Sequence, residues 1–134
     1  MAYHRFRVNG KVRGQGRPRF TRNGRAYKAK ADRDYEEEIK KAYINSGGVH
    51  FGDKPIFIAV TTHRALPKNT PKRITEMPDT VRPDASNVLK AVEDALNGIA
   101  YNDDSQIVQA SIYKAPRKRC VEHMEIYIGT QEEI

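Results

Sequence analysis

Asp84, Asn87, Ala91 and Asp94 follow three-and-four spacing, and Lys90 lies close by. On a helix that spacing gathers carboxylate, amide and amine on one side. A little further on comes Asp103-Asp104, placed to fold back toward the helix start if the following strand packs beside it. A hard divalent cation such as Mg²⁺ takes carboxylates converging from separate elements, with waters and phosphate oxygens completing the octahedron. Such a metal generates hydroxide near neutral pH and neutralises charge on a scissile phosphate, while a nearby lysine stabilises the pentacovalent oxyanion or assists proton movement. Plainer readings stand beside this one: Asp84 or Ser86 as an N-cap, Asp94 as a surface acid, Asp103-Asp104 as an ordinary turn. Capping alone explains one Asp and not the set.

The elements that must hold these residues can be read from periodicity. Asp84 to Leu96 puts Val88, Leu89, Val92, Ala95 and Leu96 on one stripe, with Pro83 before it and Asn97-Gly98 after it, so start and stop signals agree on a helix. Asp32 to Asn45 forms another, with Tyr35, Ile39, Ala42 and Tyr43 at helical spacing, acids crowding its first turns and Ser46-Gly47-Gly48 ending it. Strands are expected over Tyr3 to Val8 and over the β-branched run Pro55 to Thr62, which reads as central. Gln106 to Lys114 and Val121 to Ile128 alternate as a further pair of partner strands. Tyr101 to Ser105 reads as a polar turn, and Leu66 to Pro83, with four prolines, as a long loop. The layout is an α+β domain over 1–134 with a mixed or antiparallel sheet and two main helices.

Composition narrows the partners. The chain has 134 residues, 38% of them hydrophobic, and no apolar run near membrane length, so it forms one core and needs no membrane. Its 24 Lys and Arg against 17 Asp and Glu give a formal charge of +7, which favours polyanions. Met1 to Lys30 carries ten basic residues and no acid. Phe20 and Tyr27 flank Asn23-Gly24 there, a hairpin signal, so a folded basic hairpin fits better than a solvated tail. Its guanidinium groups suit phosphate oxygens. Ala115 to Cys120 forms a second basic patch. The lone Cys120 excludes an intramolecular disulfide, and charges in Met1 to Gly10 interrupt any signal-peptide stretch, so a reducing, cytoplasmic compartment is expected. His4, His50, His63 and His123 show no metal-ligand spacing among themselves and read as surface or partly buried polar residues.

The run Arg82-Pro83-Asp84-Ala85-Ser86-Asn87-Val88-Leu89-Lys90-Ala91-Val92-Glu93-Asp94-Ala95-Leu96-Asn97-Gly98, followed by Tyr101-Asn102-Asp103-Asp104-Ser105-Gln106-Ile107-Val108, resembles the signature of the RusA family of Holliday junction resolvases. Gly16-Arg17-Pro18-Arg19-Phe20 resembles that family's N-terminal segment. The resemblance implies a small homodimeric endonuclease, often prophage-encoded, that uses Mg²⁺ or Mn²⁺ to nick two opposed strands of a four-way junction symmetrically. It makes Asp84 and Asp104 metal-binding carboxylates and Lys90 the catalytic lysine. Where the family reads Asp-x-Asp-Asn this chain reads Asp84-Ala85-Ser86-Asn87, so Ser86 holds a metal-ligand position with a neutral hydroxyl, a weak ligand for Mg²⁺. Three explanations stand open: compensation by Asp79, Asp94 or Asp103, a binder that has lost its chemistry, or a chain altered to trap an inactive form.

The sequence therefore reads as a homodimeric, metal-dependent endonuclease on branched DNA. Arg13, Arg17, Arg19, Arg22 and Arg82, with Lys114, Arg117, Lys118 and Arg119 of the second patch, are expected to hold phosphates. The alternative is a noncatalytic junction or nucleic-acid binding protein of the same fold.

Overall fold

In the computed structural model, which describes residues 2–130, four strands build the main sheet. They are β1 (Tyr3–Asn9), β4 (Ile56–His63), β6 (Ile107–Lys114) and β8 (His123–Thr130), ordered β1-β8-β4-β6. The short β2 (Arg19–Phe20) and β3 (Ala26–Tyr27) pair as the expected basic hairpin, with Gly24 at φ +80° in its turn. A second small ribbon pairs β5 (Glu76–Met77), inside the long loop, with β7 (Arg117–Lys118).

The sheet is mixed: β8 runs antiparallel to both β1 and β4, and β4 runs parallel to β6. The strands expected to pair with each other, β6 and β8, are instead separated by β4. Alternation gives a strand's two faces and not its neighbour, and the most apolar strand takes the centre, where both edges are paired.

Alternate residues of β4 (Ile56, Ile58, Val60, Thr62) and of β8 (Met124, Ile126, Ile128) are buried beneath helices α1 (Lys30–Asn45) and α2 (Ala85–Leu96). The other face, including Phe57, Thr61, His63, Glu125 and Tyr127, stays half-exposed. Helix α1 starts two residues before the expected Asp32 and ends on Ser46, whose N–H bonds the Ala42 carbonyl, with Gly47 at φ +86° behind it. It buries Tyr35, Ile39 and Tyr43, and α2 buries Val88, Ala91, Val92, Ala95 and Leu96. At such a site Leu96→Ala costs about 2–5 kcal/mol.

Two sequence expectations change here. Ala91 was grouped with the polar face but sits in the core, because its methyl lies between Val88 and Ala95 on the buried stripe. Tyr101, read as part of a polar turn, is fully buried and donates its hydroxyl to the Glu93 carbonyl at 2.5 Å, clamping the chain to the end of α2. No helix among the described residues is long and apolar enough to cross a membrane.

Candidate active site

Helix α2 opens at Asp84, the N-cap, whose side chain makes no capping hydrogen bond. Its carbonyl accepts from the Asn87 and Val88 amides at 3.1 Å, so the backbone starts the helix while the exposed carboxylate remains available. The plain N-cap reading therefore does not account for this acid. One turn on, Asn87 and then Lys90 project along the same side, and all three line a cleft of about 950 Å³.

The opposite wall is the segment Gly14–Pro18, between β1 and β2. The Gln15 amide donates to the Asn87 carbonyl at 2.9 Å. A Cβ on Gly14 would stand 3.0 Å from the Cβ atoms of both Asn87 and Pro83, a tight approach that asks these neighbours to give by a few tenths of an ångström. The Gln15 side chain donates to Asp94 at 2.6 Å, and the Gly16 amide reaches the Asp32 carboxylate at 3.2 Å. Lys11, Arg17, Arg64 and Arg82 also line the cleft, which surrounds one carboxylate with cations. The cleft is therefore electropositive around a single acid.

Asp94 lies one helical turn beyond Lys90 and is occupied. Besides Gln15 it meets Lys28 at 3.4 Å and Lys90 at 3.5 Å. Burial opposes its ionisation, yet the Gln15 hydrogen bond and the Lys90 and Lys28 charges hold its carboxyl below the ordinary carboxylate value. Its neighbour Glu93 goes the other way: burial raises it, Lys90 partly offsets that, and the Asp104 and Asp94 charges raise it further.

Asp103 and Asp104 do not come back to the helix start. Tyr101 is tied to Glu93, the Ala100 amide to Leu96, and the Gln106 side chain to the carbonyls of Gly52 and Lys54. All of these fix the pair beside the C-terminal end of α2. The far end of β6 reaches the helix start instead, where Lys114 donates to the carbonyls of Val81 and Pro83 at 2.7 and 3.0 Å. Asp84 and Asp104 thus lie toward opposite ends of α2 within one chain, with Asp104 near enough to Glu93 for its charge to act there. Asp103 itself caps a single 3₁₀ turn, accepting from the Ser105 amide while Gln106 bonds back in a capping box. Ser86 is exposed on α2 and does not line the cleft.

Of the acids offered as substitutes for Ser86, Asp79 is buried and does not line the cleft, and its Oδ2 has no hydrogen-bond partner among the described residues. Its side chain is fully enclosed, 2.9 Å from Arg64 and 3.9 Å from Lys114. It neutralises two cations beneath the loop that leads to Asp84, and Asp94 and Asp103 are engaged as described.

The expected phosphate contacts divide in the same way. Arg17 and Arg82 line the cleft. Arg19 and Arg22 are exposed on the β2–β3 hairpin beside exposed Phe20 and Tyr27. Arg13 lines a separate groove beside α1. Lys114, Arg117 and Arg119 hold the long loop: Arg117 donates to the Ala65 carbonyl at 2.8 Å, and Arg119 to those of Ile74, Thr70 and Pro71. Lys118 is exposed, 3.7 Å from Glu76.

Three contributors escaped sequence reading. Gln15 and Arg64 are cleft residues whose partners are distant in the chain, although the glycines on either side of Gln15 mark a close approach of backbone. The third is a group on the open sheet face. Among the described residues one set of three potential metal ligands lies with its atoms within 4.8 Å of one another: His63, His123 and Glu125.

Comparison with known proteins identifies the family. The endodeoxyribonuclease RusA family model matches residues 9–128, which span both walls of the cleft and the Asp103-Asp104 turn. The uncharacterized protein YqaN of Bacillus subtilis (strain 168) is 31% identical over 128 residues, covering 82% of this chain and 85% of its own. With its N-terminal segment folded against the start of α2 and the match running across nearly the whole domain, the chain belongs to the RusA family of endodeoxyribonucleases.

Proposed function

We propose that the protein is a metal-dependent endonuclease that acts as a homodimer on four-way DNA junctions and resolves them by paired symmetric nicks. The family supports nuclease action on Holliday junctions. The observation that carries the finer reading is the uncapped Asp84 carboxylate, aligned with Asn87 and Lys90 in a cleft otherwise lined by cations.

The donor set at the cleft suits a hard cation. Mg²⁺ and Mn²⁺ are held by one or two carboxylates together with substrate phosphate oxygens and water, and Asp84 supplies the first of these. When bound, such an ion activates water near neutral pH and offsets charge on the scissile phosphate. Arg17 and Arg82 clamp the flanking phosphates, and Lys90 puts an ammonium where negative charge develops on the phosphorus oxygens. Gln15 and Lys28 share Asp94 with Lys90, whose long exposed side chain also lines the cleft.

Asp104 enters through the dimer in this reading. Because it sits toward the C-terminal end of α2 and Asp84 at its start, a second copy related by a two-fold axis is the natural source of a second carboxylate at each cleft. The same axis presents two cutting sites to the two equivalent strands of a junction. The protein is placed in the cytoplasm, where such DNA is accessible.

Ser86 favours a second reading, a junction binder without chemistry. Incubating synthetic four-way junctions and linear duplex with the protein and Mg²⁺ or Mn²⁺ separates the two. Paired nicks on the junction alone support the enzyme. Tight binding without nicks, with cleavage gained by Ser86→Asp, selects the binder.

A further inference from the structure

The open face of the sheet, away from the helices, carries a group that the proposed nuclease does not use. His63 ends β4 and His123 begins β8, directly opposite each other in register, and Glu125 follows two residues on along the same face. The imidazole rings are stacked, centroids 4.5 Å apart and 15° from parallel. Glu125 Oε1 lies 3.7 Å from His63 Nε2 and 3.8 Å from His123 Nε2.

These separations are too long for hydrogen bonds, so the three atoms face one another without satisfying one another. They are close to what a shared ion demands. With metal–ligand bonds of about 2.1 Å, a tetrahedral ion sets its ligands about 3.4 Å apart. The outer contacts suit this role. His123 Nδ1 lies 2.8 Å from the Val121 carbonyl; donating there fixes the tautomer that leaves Nε2 with a free lone pair. Arg5 holds the other carboxylate oxygen of Glu125 at 3.6 Å, which leaves Oε1 toward the imidazoles.

The geometry points to a second metal site, His63–His123–Glu125, that takes a single borderline transition ion of the Zn²⁺ class, with its fourth position open to water. Imidazole nitrogen selects Zn²⁺, Co²⁺ or Ni²⁺ over Mg²⁺, so this site and the carboxylate cleft sort different ions. Binding turns the rings from parallel to converging and staples the end of β4 to the start of β8. The next residue after His63 is Arg64, which leaves the strand to line the cleft. The ion therefore braces the strand end from which Arg64 departs toward Asp79 and the cleft wall.

The test uses the full-length protein freed of metal with chelator. Co²⁺ titration should give the visible bands of a tetrahedral nitrogen and oxygen site at one equivalent, and Zn²⁺ should displace them. Zn²⁺ at a hundredfold excess over its Kd should raise Tm by roughly 5–10 °C, and Mg²⁺ should not reproduce this. His63→Ala and His123→Ala should each weaken binding by about 100-fold or more, since a direct ligand outweighs the 10–100-fold cost of losing an outer partner. Glu125→Gln should lower affinity while keeping the metal-free melting curve, which covers the case of a histidine variant that does not fold. Cys120→Ser and Asp84→Asn should bind as the parent does. Absence of bands in the parent protein, bands that survive in both histidine variants, or bands lost with Cys120→Ser would each overturn the site. None of these readouts depends on DNA cleavage, so failure here leaves the nuclease reading standing, and the reverse holds.

Discussion

Replacing Asp79 by Asn tests whether this acid is a structural counter-charge or a metal ligand. The Asp79 side chain has no exposed surface, and the Arg64 and Lys114 side chains that face it are 12% and 17% exposed. Removing the carboxylate leaves, among the described residues, Lys114 without its acid and Arg64 with only Glu122, 3.9 Å away. Breaking a buried pair from one side costs about 3–5 kcal/mol. For a domain of this size that corresponds to a fall in Tm of about 10–15 °C. Lys114 also holds the Val81 and Pro83 carbonyls, so the damage should spread to the approach to Asp84 and reduce junction cleavage indirectly. The assay is a pair of thermal and urea melts on Asp79→Asn, Lys114→Met and the double variant. Because the two side chains share one network, the double variant should be less destabilised than the sum of the singles by about 1 kcal/mol or more. A Tm within about 2 °C of the parent, together with complete loss of metal-dependent cleavage, would refute this and make Asp79 a ligand.

Three further outcomes are expected. Asp84→Asn and Asp104→Asn should each be inactive alone, yet mixed and allowed to exchange subunits they should recover nicking of one strand, because one composite site in each mixed dimer keeps both carboxylates; no recovery on gel assay would place both acids of a site in one chain or remove Asp104 from it. Arg17→Ala with Arg19→Ala should weaken binding to every DNA shape and flatten the plot of log affinity against log salt by nearly two, at about 0.9 per phosphate contact; an unchanged slope would return these residues to solvated surface. Asp94 has a folded-state pKa held down by Gln15, Lys90 and Lys28 against the effect of burial, so its stabilisation is complete above its unfolded value of about 3.9 and is lost as pH falls through the lower folded value. Asp94→Asn should therefore cost about 2 kcal/mol at pH 7 and progressively less as pH falls below the unfolded value and through the folded one, and an equal cost throughout would show that charge is not what holds Gln15 and Lys28.

Much of this molecule is legible locally. The α2 stripe, its Pro83 entry and Asn97-Gly98 exit, and the Asn23-Gly24 hairpin follow from spacing and turn chemistry within a dozen residues. What escaped is set by contacts between distant parts of the chain. The insertion of β4 between β6 and β8 leaves every strand's alternation unchanged, and the burial of Tyr101 depends on a carbonyl in α2. The pairing of His63 with His123 needs a register that no spacing rule contains. Lys114, Arg117 and Arg119 look like free cations in the sequence, but the carbonyls they bind belong to a loop far upstream. The position of Asp103-Asp104 was within reach: the connection after α2 is short, so the next strand must begin beside the helix end and not its start.

The most direct measurement compares the parent protein with Asp84→Asn on a synthetic four-way junction in Mg²⁺ or Mn²⁺, scoring cleavage and binding in the same samples. The account predicts paired nicks by the parent, no nicks by the variant, and junction binding by the variant equal to or tighter than the parent's, since one negative charge has left a phosphate-binding cleft. Cleavage retained by Asp84→Asn, or cleavage of linear duplex by the parent at the same rate as of the junction, would contradict it.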